Sequence, residues 1–198
     1  MSNGDVSQGR RRFLIGATSV VGGVGAIGIA TPFVGSWNPS AKAEAAGAPV
    51  TVNVSKIEPG QQITIEWRGK PVWIINRTET MQENIKKMND RVKFPDSSDA
   101  TQQPPYVEAP FRSIKPDIAV LVGICTHLGC VPTYRPEVAP ADLGSEWLGG
   151  MFCPCHGSKY DLAGRVFQSQ PAPLDLEVPP YRYDDDSTVT VGLDPEAA

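Results

Sequence analysis

Histidine and cysteine are scarce in this chain. Among its 198 residues there are two His and four Cys. All six lie in two short segments, CTHLGC at residues 125–130 and CPCH at residues 153–156. Random scatter would not bring them together, so the pattern predicts one site built from two loops. The scarcity also means that no histidine is left elsewhere for a second metal site.

Positively charged residues are outnumbered by acidic ones over most of the chain. From Val50 onwards there are 14 Lys and Arg against 20 Asp and Glu, with no basic stripe. We therefore expect no binding to nucleic acid. The acidic balance is ordinary for a soluble domain. The chain also has no internal repeat that would indicate a repeat architecture.

The N-terminal part has the one long apolar run. Residues 13–34 are uncharged and follow Arg10, Arg11 and Arg12. At about 1.5 Å per residue this run is about 33 Å long, enough for a bilayer core of about 30 Å. We predict a single transmembrane helix at 13–34, with residues 1–12 in the cytoplasm because the arginines precede the span.

The same arginines resemble an export signal. Arg10 and Arg11, followed by Phe13 and Leu14, fit a twin-arginine pattern, whose pathway carries folded proteins. Ala41-Lys42-Ala43 and Ala43-Glu44-Ala45 both look like cleavage sites, but the length of the apolar run favours retention as an anchor. Residues 35–49 are small and weakly polar, and we interpret them as a flexible hinge.

The exported domain, residues 50–198, is predicted to be mainly β and antiparallel. Across the whole chain there are nineteen Gly and nineteen Pro, and together with the short apolar runs they favour a turn-rich sheet. One helical insertion is predicted from a capping box at Thr80 and Glu83, with Met81, Ile85, Met88 and Val92 at helical spacing. Residues 95–110 are predicted to be a loop. The predicted strands are 50–54, 63–67, 72–75, 118–122 and 188–191.

Zinc is the simplest alternative for the six clustered residues. Structural zinc sites favour cysteine pairs that are two to four residues apart. Cys153 and Cys155 are separated by one residue only, and Cys125 and Cys130 bracket a histidine. Each segment instead offers one Cys and one His at close spacing, with Cys130 and Cys155 left over. An exported chain reaches an oxidising compartment, where spare cysteines pair.

Two cysteines with two histidines fit a Rieske [2Fe–2S] cluster, in which a histidine pair replaces a cysteine pair on one iron. Cys-Thr-His-Leu-Gly-Cys and Cys-Pro-Cys-His-Gly-Ser-x-Tyr resemble the two cluster loops of the Rieske iron–sulfur subunits of bacterial cytochrome bc1 complexes. The resemblance extends from the export signal and anchor to a loop at Pro171-Ala172-Pro173. It implies a β-sheet head with a small cluster-binding subdomain at about 118–175.

The resemblance implies roles for individual residues. Cys125 and Cys153 would bind the inner iron, and His127 and His156 the outer, more exposed iron. The two histidines would also contact quinol and accept its proton, and Leu128 would lie at the tip near the quinone. Further members of the site would be a Cys130–Cys155 disulfide and hydrogen bonds to the sulfurs from Ser158 and Tyr160.

The implied function is electron transfer from quinol to cytochrome c1, as the redox subunit of a quinol:cytochrome c oxidoreductase. The implied partners are cytochrome b and cytochrome c1, in a dimeric complex of the bacterial inner membrane with the head in the periplasm. Two alternatives remain, a soluble exported Rieske subunit of another oxidoreductase, such as arsenite oxidase, and a b6f-type subunit. A Rieske oxygenase is excluded, because its second iron needs further histidines.

One position departs from the family pattern. Many members have a glycine immediately before the Pro-Ala-Pro loop, whereas this chain has Gln170. The departure leaves the local turn uncertain, and the cluster assignment does not depend on it.

Overall fold

One long helix makes up most of the first of two units, which divide between Ala45 and Ala46 in this computed structural model. Residues 7–96 and 101–195 are described. Helix α1 (Gln8–Gly35) has 28 residues, and its N-cap Ser7 accepts a hydrogen bond from Arg10 N. It therefore begins before the predicted span, because arginine is a good helix former. Half of the predicted segment 1–12, residues 1–6, lies outside the described residues.

Within the described part of the chain, α1 is the only helix long and apolar enough to cross a membrane. Its residues are exposed, including Phe13, Val24 and Phe33 at 66–72%. A second, short helix, α2 (Ala41–Gly47), lies in the segment predicted as a hinge. Alanine-rich sequence adopts helix or coil at little cost, so the predicted flexibility of this segment stays a prediction.

In the described part of the second unit, nine short strands form three antiparallel three-stranded sheets. The orders are β1-β9-β8, β2-β3-β4 and β5-β6-β7. The bounds are β1 (Val50–Asn53), β2 (Gln62–Trp67), β3 (Lys70–Asn76), β4 (Ile118–Val122), β5 (Thr133–Arg135), β6 (Gly150–Phe152), β7 (Lys159–Asp161), β8 (Tyr181–Tyr183) and β9 (Thr188–Val191). The prediction of a mainly antiparallel β domain with an N-terminal apolar helix is confirmed.

The apolar core lies on strands β3 and β4. Ile74 pairs with Val120 and Val72 with Val122, and all four are at most 1% exposed. Every residue of β4 is buried, which a continuous run of branched apolar residues favours. The first of the two site loops begins three residues after β4 ends, so this core supports it directly.

The helical insertion is present, but its predicted start is wrong. Helix α3 (Glu79–Lys87) begins after Thr78, whose hydroxyl accepts a hydrogen bond from Met81 N at 3.3 Å. Thr80 is therefore inside the first turn and does not cap the helix. Val92 lies beyond the helix and pairs with Phe167 in an isolated bridge. The apolar stripe packs in the core as expected, since Ile85, Met88 and Val92 are each 1% exposed.

Four strands were not predicted, β5, β6, β7 and β8. Each has three residues, too few for an alternating pattern to stand out. Three of them form the sheet that carries the second site loop. The loop predicted at 95–110 is described except for residues 97–100.

Candidate metal centre

The site is made of two loops with the same backbone closure. We call residues 125–130 loop 1 and residues 153–158 loop 2. In loop 1, Cys125 N donates to Cys130 O at 2.7 Å, and Gly129 N donates to Cys125 O at 3.0 Å. In loop 2, Cys153 N donates to Ser158 O at 2.8 Å, and Gly157 N donates to Cys153 O at 2.9 Å. Each loop thus begins at a cysteine and closes on the residue five positions later.

A glycine makes each closure possible. Gly129 has φ of 82° and Gly157 has φ of 79°. This left-handed conformation costs other residue types about 1–2 kcal/mol. Both glycines come four residues after the first cysteine of their loop, a shared spacing that is visible in the sequence and that our sequence analysis did not use.

Two thiols face the interior between the loops. Cys125 and Cys153 are free, and they are 2% and 1% exposed. Burial raises the pKa of the Cys153 thiol, and a side-chain hydrogen bond with Cys125 raises it further. A pair of buried thiols with adjacent sulfurs suits a cation, because a bound metal ion stabilises the thiolate form.

The two histidine rings meet edge to face. Their centroids are 4.7 Å apart, with an angle of 84° between the ring planes. His127 is half-buried, whereas His156 is exposed. His127 Nδ1 is buried and has no hydrogen-bond partner. Leaving such an atom unsatisfied costs about 1–3 kcal/mol, so this nitrogen fits a metal-binding role.

The remaining cysteines form a disulfide between the loops, Cys130–Cys155, the pairing that the resemblance implied. The sulfurs of Cys130, Cys153 and Cys155 lie within 4.8 Å of one another. This trio is not a metal site, because two of its members share the disulfide and have no thiolate to offer. Only Cys153 of the three is left as a ligand.

Tyr160 places a hydroxyl on loop 1. Its Oη lies 3.2 Å from Cys125 Sγ, 3.2 Å from Thr126 Oγ1 and 3.2 Å from Thr126 N, which donates to it. Thr126 Oγ1 gives its own proton to Leu174 O at 2.6 Å. The Tyr160 proton is therefore available to Cys125 or to Thr126. Burial raises the pKa of Tyr160, so the phenol stays protonated and remains a donor.

Ser158 places a second hydroxyl at the end of loop 2. Its side chain is fully buried, and Oγ accepts a hydrogen bond from Ala172 N at 3.1 Å. Because the hydroxyl acts as acceptor in this bond, its proton remains available to donate. Its predicted donation to a cluster sulfur stays a prediction. Leu128, the predicted tip, is 71% exposed.

Buried ion pairs hold the strand that follows loop 2. Asp161 and Arg165 form a pair at 2.7 Å, and both are at most 1% exposed. Arg165 also donates to Ile85 O at 2.7 Å and to Asn89 Oδ1 at 2.8 Å, which ties this strand to helix α3.

A second carboxylate, Asp175, lies near Arg112, with 3.6 Å between carboxylate oxygen and Nε. Burial raises the pKa of Asp175 to about 6, and Arg112 opposes that shift. The carboxylate also accepts a hydrogen bond from Val166 N at 2.8 Å. This group therefore fastens the chain that leaves the Pro-Ala-Pro loop to the strand region after β7.

The sequence analysis missed several residues that shape the site. Thr126 supplies the second partner of the Tyr160 hydroxyl. Gln170 accepts a hydrogen bond from Lys159 N at 3.0 Å. The four-residue spacing of Asp161 and Arg165 is a signal that could have been read, whereas nothing in the sequence predicts the contact of Gln170.

The residues brought together fit a [2Fe–2S] cluster of the Rieske type. Two buried free thiols and two adjacent imidazoles form the donor set, and an orphaned imidazole nitrogen is among them. The structure brings the four predicted ligands and the two hydroxyls to one place. Their individual roles as ligands and donors stay a prediction.

Known proteins resemble this chain along nearly its whole length. It matches the ubiquinol–cytochrome c reductase Fe–S subunit TAT signal family over residues 1–40 and the Rieske [2Fe–2S] domain family over residues 48–180. The ubiquinol-cytochrome c reductase iron-sulfur subunit of Allochromatium vinosum is 53% identical, covering 98% of this chain and 93% of the relative.

The subunit of the same name from Bradyrhizobium diazoefficiens is 40% identical, covering 92% of this chain and 94% of the relative. A chain of a solved hyperthermophilic respiratory Complex III is 28% identical with a TM-score of 0.47, covering 90% of this chain and 98% of that chain. The predicted cofactor, one Rieske [2Fe–2S] cluster, is confirmed by the domain match. On the strength of the domain match and the two relatives, this chain belongs to the family of Rieske iron–sulfur subunits of ubiquinol–cytochrome c reductase.

Proposed function

We propose that this chain is the electron-transfer subunit of a membrane quinol:cytochrome c oxidoreductase. When a [2Fe–2S] cluster is bound, Cys125 and Cys153 would hold one iron, and His127 and His156 would hold the other. The observation that carries the proposal is the convergence of two buried free thiols and two imidazole rings 4.7 Å apart. The similarity to reductase subunits over 98% of the chain supports the same function.

When bound, a cluster with this ligand set accepts one electron at about −150 to +300 mV, well above a four-cysteine cluster. The protein's part is to orient the quinol and to take its proton. His156 is exposed, so a ring nitrogen that is not bound to metal can accept a hydrogen bond from a quinol hydroxyl. His127 lies beside it and can share this role.

The apolar side chain of Leu128 is positioned to contact the quinone ring, since it is 71% exposed next to His127. The hydroxyls of Ser158 and Tyr160 act on the sulfurs. A hydrogen bond to sulfur withdraws negative charge and favours the reduced state, so both residues raise the potential.

The N-terminal unit supports the proposed membrane arrangement. Helix α1 anchors the protein in the bacterial inner membrane, with the N-terminus in the cytoplasm and the head in the periplasm. The partners are cytochrome b, which contributes most of the quinol pocket, and cytochrome c1, which accepts the electron. The complex is dimeric, and the segment 35–49 lets the head move between the two partners.

The test is isolation from membranes with partners intact. We expect the chain to resist carbonate extraction, to co-purify with cytochrome b and cytochrome c1, and to give a reduced [2Fe–2S] signal together with quinol:cytochrome c activity. Release as a soluble protein indicates a different exported oxidoreductase. Co-purification with b6f-type partners indicates that complex, and a colourless zinc protein contradicts the proposal as a whole.

A further inference from the structure

Gln170 contacts Lys159, the residue that separates the two hydroxyl donors Ser158 and Tyr160. Strand β7 begins at Lys159, directly after Ser158, and it is an edge strand of the sheet β5-β6-β7. Along the free edge, Lys159 N donates to Gln170 Oε1 at 3.0 Å, and Lys159 O accepts from Phe167 N at 3.0 Å. The edge N–H of Lys159 is thus satisfied by a side chain and not by a neighbouring strand.

The same segment also holds Ser158 itself. Ala172 N donates to Ser158 Oγ at 3.1 Å, between two residues that are at most 2% exposed. Gln170 precedes Ala172 by two residues. Ser158 is therefore fixed twice from one short segment, at its hydroxyl by Ala172 and through the next backbone N–H by Gln170.

The amide of Gln170 is itself anchored. Its Nε2 donates to Gln168 O at 3.3 Å, across Ser169, which has φ of 58°. Lys159 and Gln170 are both half-buried. If the Gln170 acceptor were removed, water could therefore satisfy the Lys159 N–H only in part. A residue without a side-chain acceptor at position 170 would leave the Lys159 N–H without this bond.

We propose that Gln170 is a positioning residue for the redox centre: its side-chain amide fixes the backbone at Lys159 and keeps the Ser158 hydroxyl aimed into the site. The inference rests on the proposed function, in which Ser158 donates to a cluster sulfur. The hydrogen bonds of the Gln170 side chain go to Lys159 and Gln168, so it acts on the centre through Ser158.

The main variant is Gln170→Met in the full-length protein, which keeps the chain length and removes the acceptor. We expect a lower midpoint potential, in the same direction as Ser158→Ala but smaller, and faster hydrogen exchange at the Lys159 amide. Gln168→Met is the matched control. Its side chain donates to Asp90 O and Val92 O and not to β7, so the potential should not change.

Two further variants separate a positioning role from a structural one. Gln170→Met combined with Ser158→Ala should have the potential of Ser158→Ala alone, because the route through Ser158 is already removed. Gln170→Glu keeps an oxygen acceptor for Lys159 N but loses the donation to Gln168 O, so the Lys159 amide should exchange more slowly than in Gln170→Met. This comparison separates loss of the acceptor from other effects of the substitution.

Three results overturn the inference: an unchanged potential in Gln170→Met, full additivity with Ser158→Ala, or exchange at Lys159 that is as fast in Gln170→Glu as in Gln170→Met. Failure of the cluster assignment on which the proposed function depends gives a different result, because the parent protein then shows no [2Fe–2S] signal to titrate.

Discussion

Loop 1 and loop 2 have the same backbone hydrogen bonds but carry different side chains. Their first residues are Cys125 and Cys153, and their fifth residues are Gly129 and Gly157, with the same two closing hydrogen bonds. The third, fourth and sixth positions differ. Loop 1 has His127, Leu128 and Cys130 there, and loop 2 has Cys155, His156 and Ser158.

Equivalent positions of the two loops therefore have different side chains with different roles. At the third position loop 1 has a histidine and loop 2 a disulfide cysteine. At the fourth position loop 1 exposes an apolar side chain and loop 2 exposes an imidazole. Each loop thus supplies two of the proposed ligands, while the unequal side chains supply a disulfide, a buried hydroxyl and two exposed side chains, Leu128 and His156.

The largest expected effect comes from removing one of the two proposed histidine ligands. Replacing His127 or His156 by alanine should abolish the [2Fe–2S] signal, because the cluster loses one of its four protein ligands. Leu128→Ala is the matched control, since Leu128 occupies in loop 1 the position of His156 in loop 2. Electron paramagnetic resonance of the reduced protein checks all three, and a normal signal in either histidine variant contradicts the ligand set.

Replacing the cysteines should give the next largest effect. Although the residue type is the same, the two disulfide cysteines should behave differently from the two free cysteines. Cys130→Ser and Cys155→Ser remove the disulfide, and we expect each to lower the free energy of unfolding by about 2–4 kcal/mol while some cluster still assembles. Cys125→Ser and Cys153→Ser should lose the cluster. Denaturant unfolding and the visible spectrum measure these two properties, and the same behaviour in all four variants would refute the division of roles.

The glycines should behave alike, because they occupy equivalent positions. Gly129→Ala and Gly157→Ala each place a side chain at positive φ, and at both positions no other atom lies within 4 Å of the added Cβ. Each should therefore cost about 1–2 kcal/mol through backbone strain alone. The two thermal midpoints of unfolding should agree, and a clear difference between them would show that the loops are not equivalent.

The hydroxyls give the smallest effect on stability, about 1 kcal/mol each. Tyr160→Phe removes a donor to loop 1, and Ser158→Ala removes the donor in loop 2. Each variant should assemble a cluster with a lower midpoint potential, and the double variant should be lower still. Redox titration measures this, and unchanged potentials in both single variants would mean that neither hydroxyl reaches a sulfur.

The sequence predicted the long strands well and brought the candidate ligands into one site, because both carry local signals; the ligand roles stay a prediction. Clustered Cys and His mark a site whatever the fold, and strands such as β4 have a continuous apolar run. Short strands such as β6 and β7 carry no such signal, because three residues do not establish a period. The predicted start of helix α3 was wrong because Thr78 and Thr80 are both acceptable N-cap residues, and the choice between them depends on tertiary packing.

The rest of the site has no local signal, because it depends on contacts between distant parts of the chain. The contact of Tyr160 with Cys125, across 35 residues, was implied only by the family resemblance, and nothing implied the contact of Arg165 with Ile85, across 80 residues. The equivalence of the two loops is an intermediate case. Its glycine spacing can be read from the sequence, but the closing hydrogen bonds that give the spacing meaning are seen only in the structure.

The most direct test of the central claim uses the scarcity of histidine. Labelling all histidines with ¹⁵N labels only His127 and His156, the two in the chain. The full-length protein, purified free of partner subunits and reduced, is then measured by electron–nuclear double resonance. We predict couplings to two inequivalent nitrogens, one from a histidine of each loop. Coupling to a single histidine nitrogen, or to none, would contradict the assignment of one imidazole ligand to each loop.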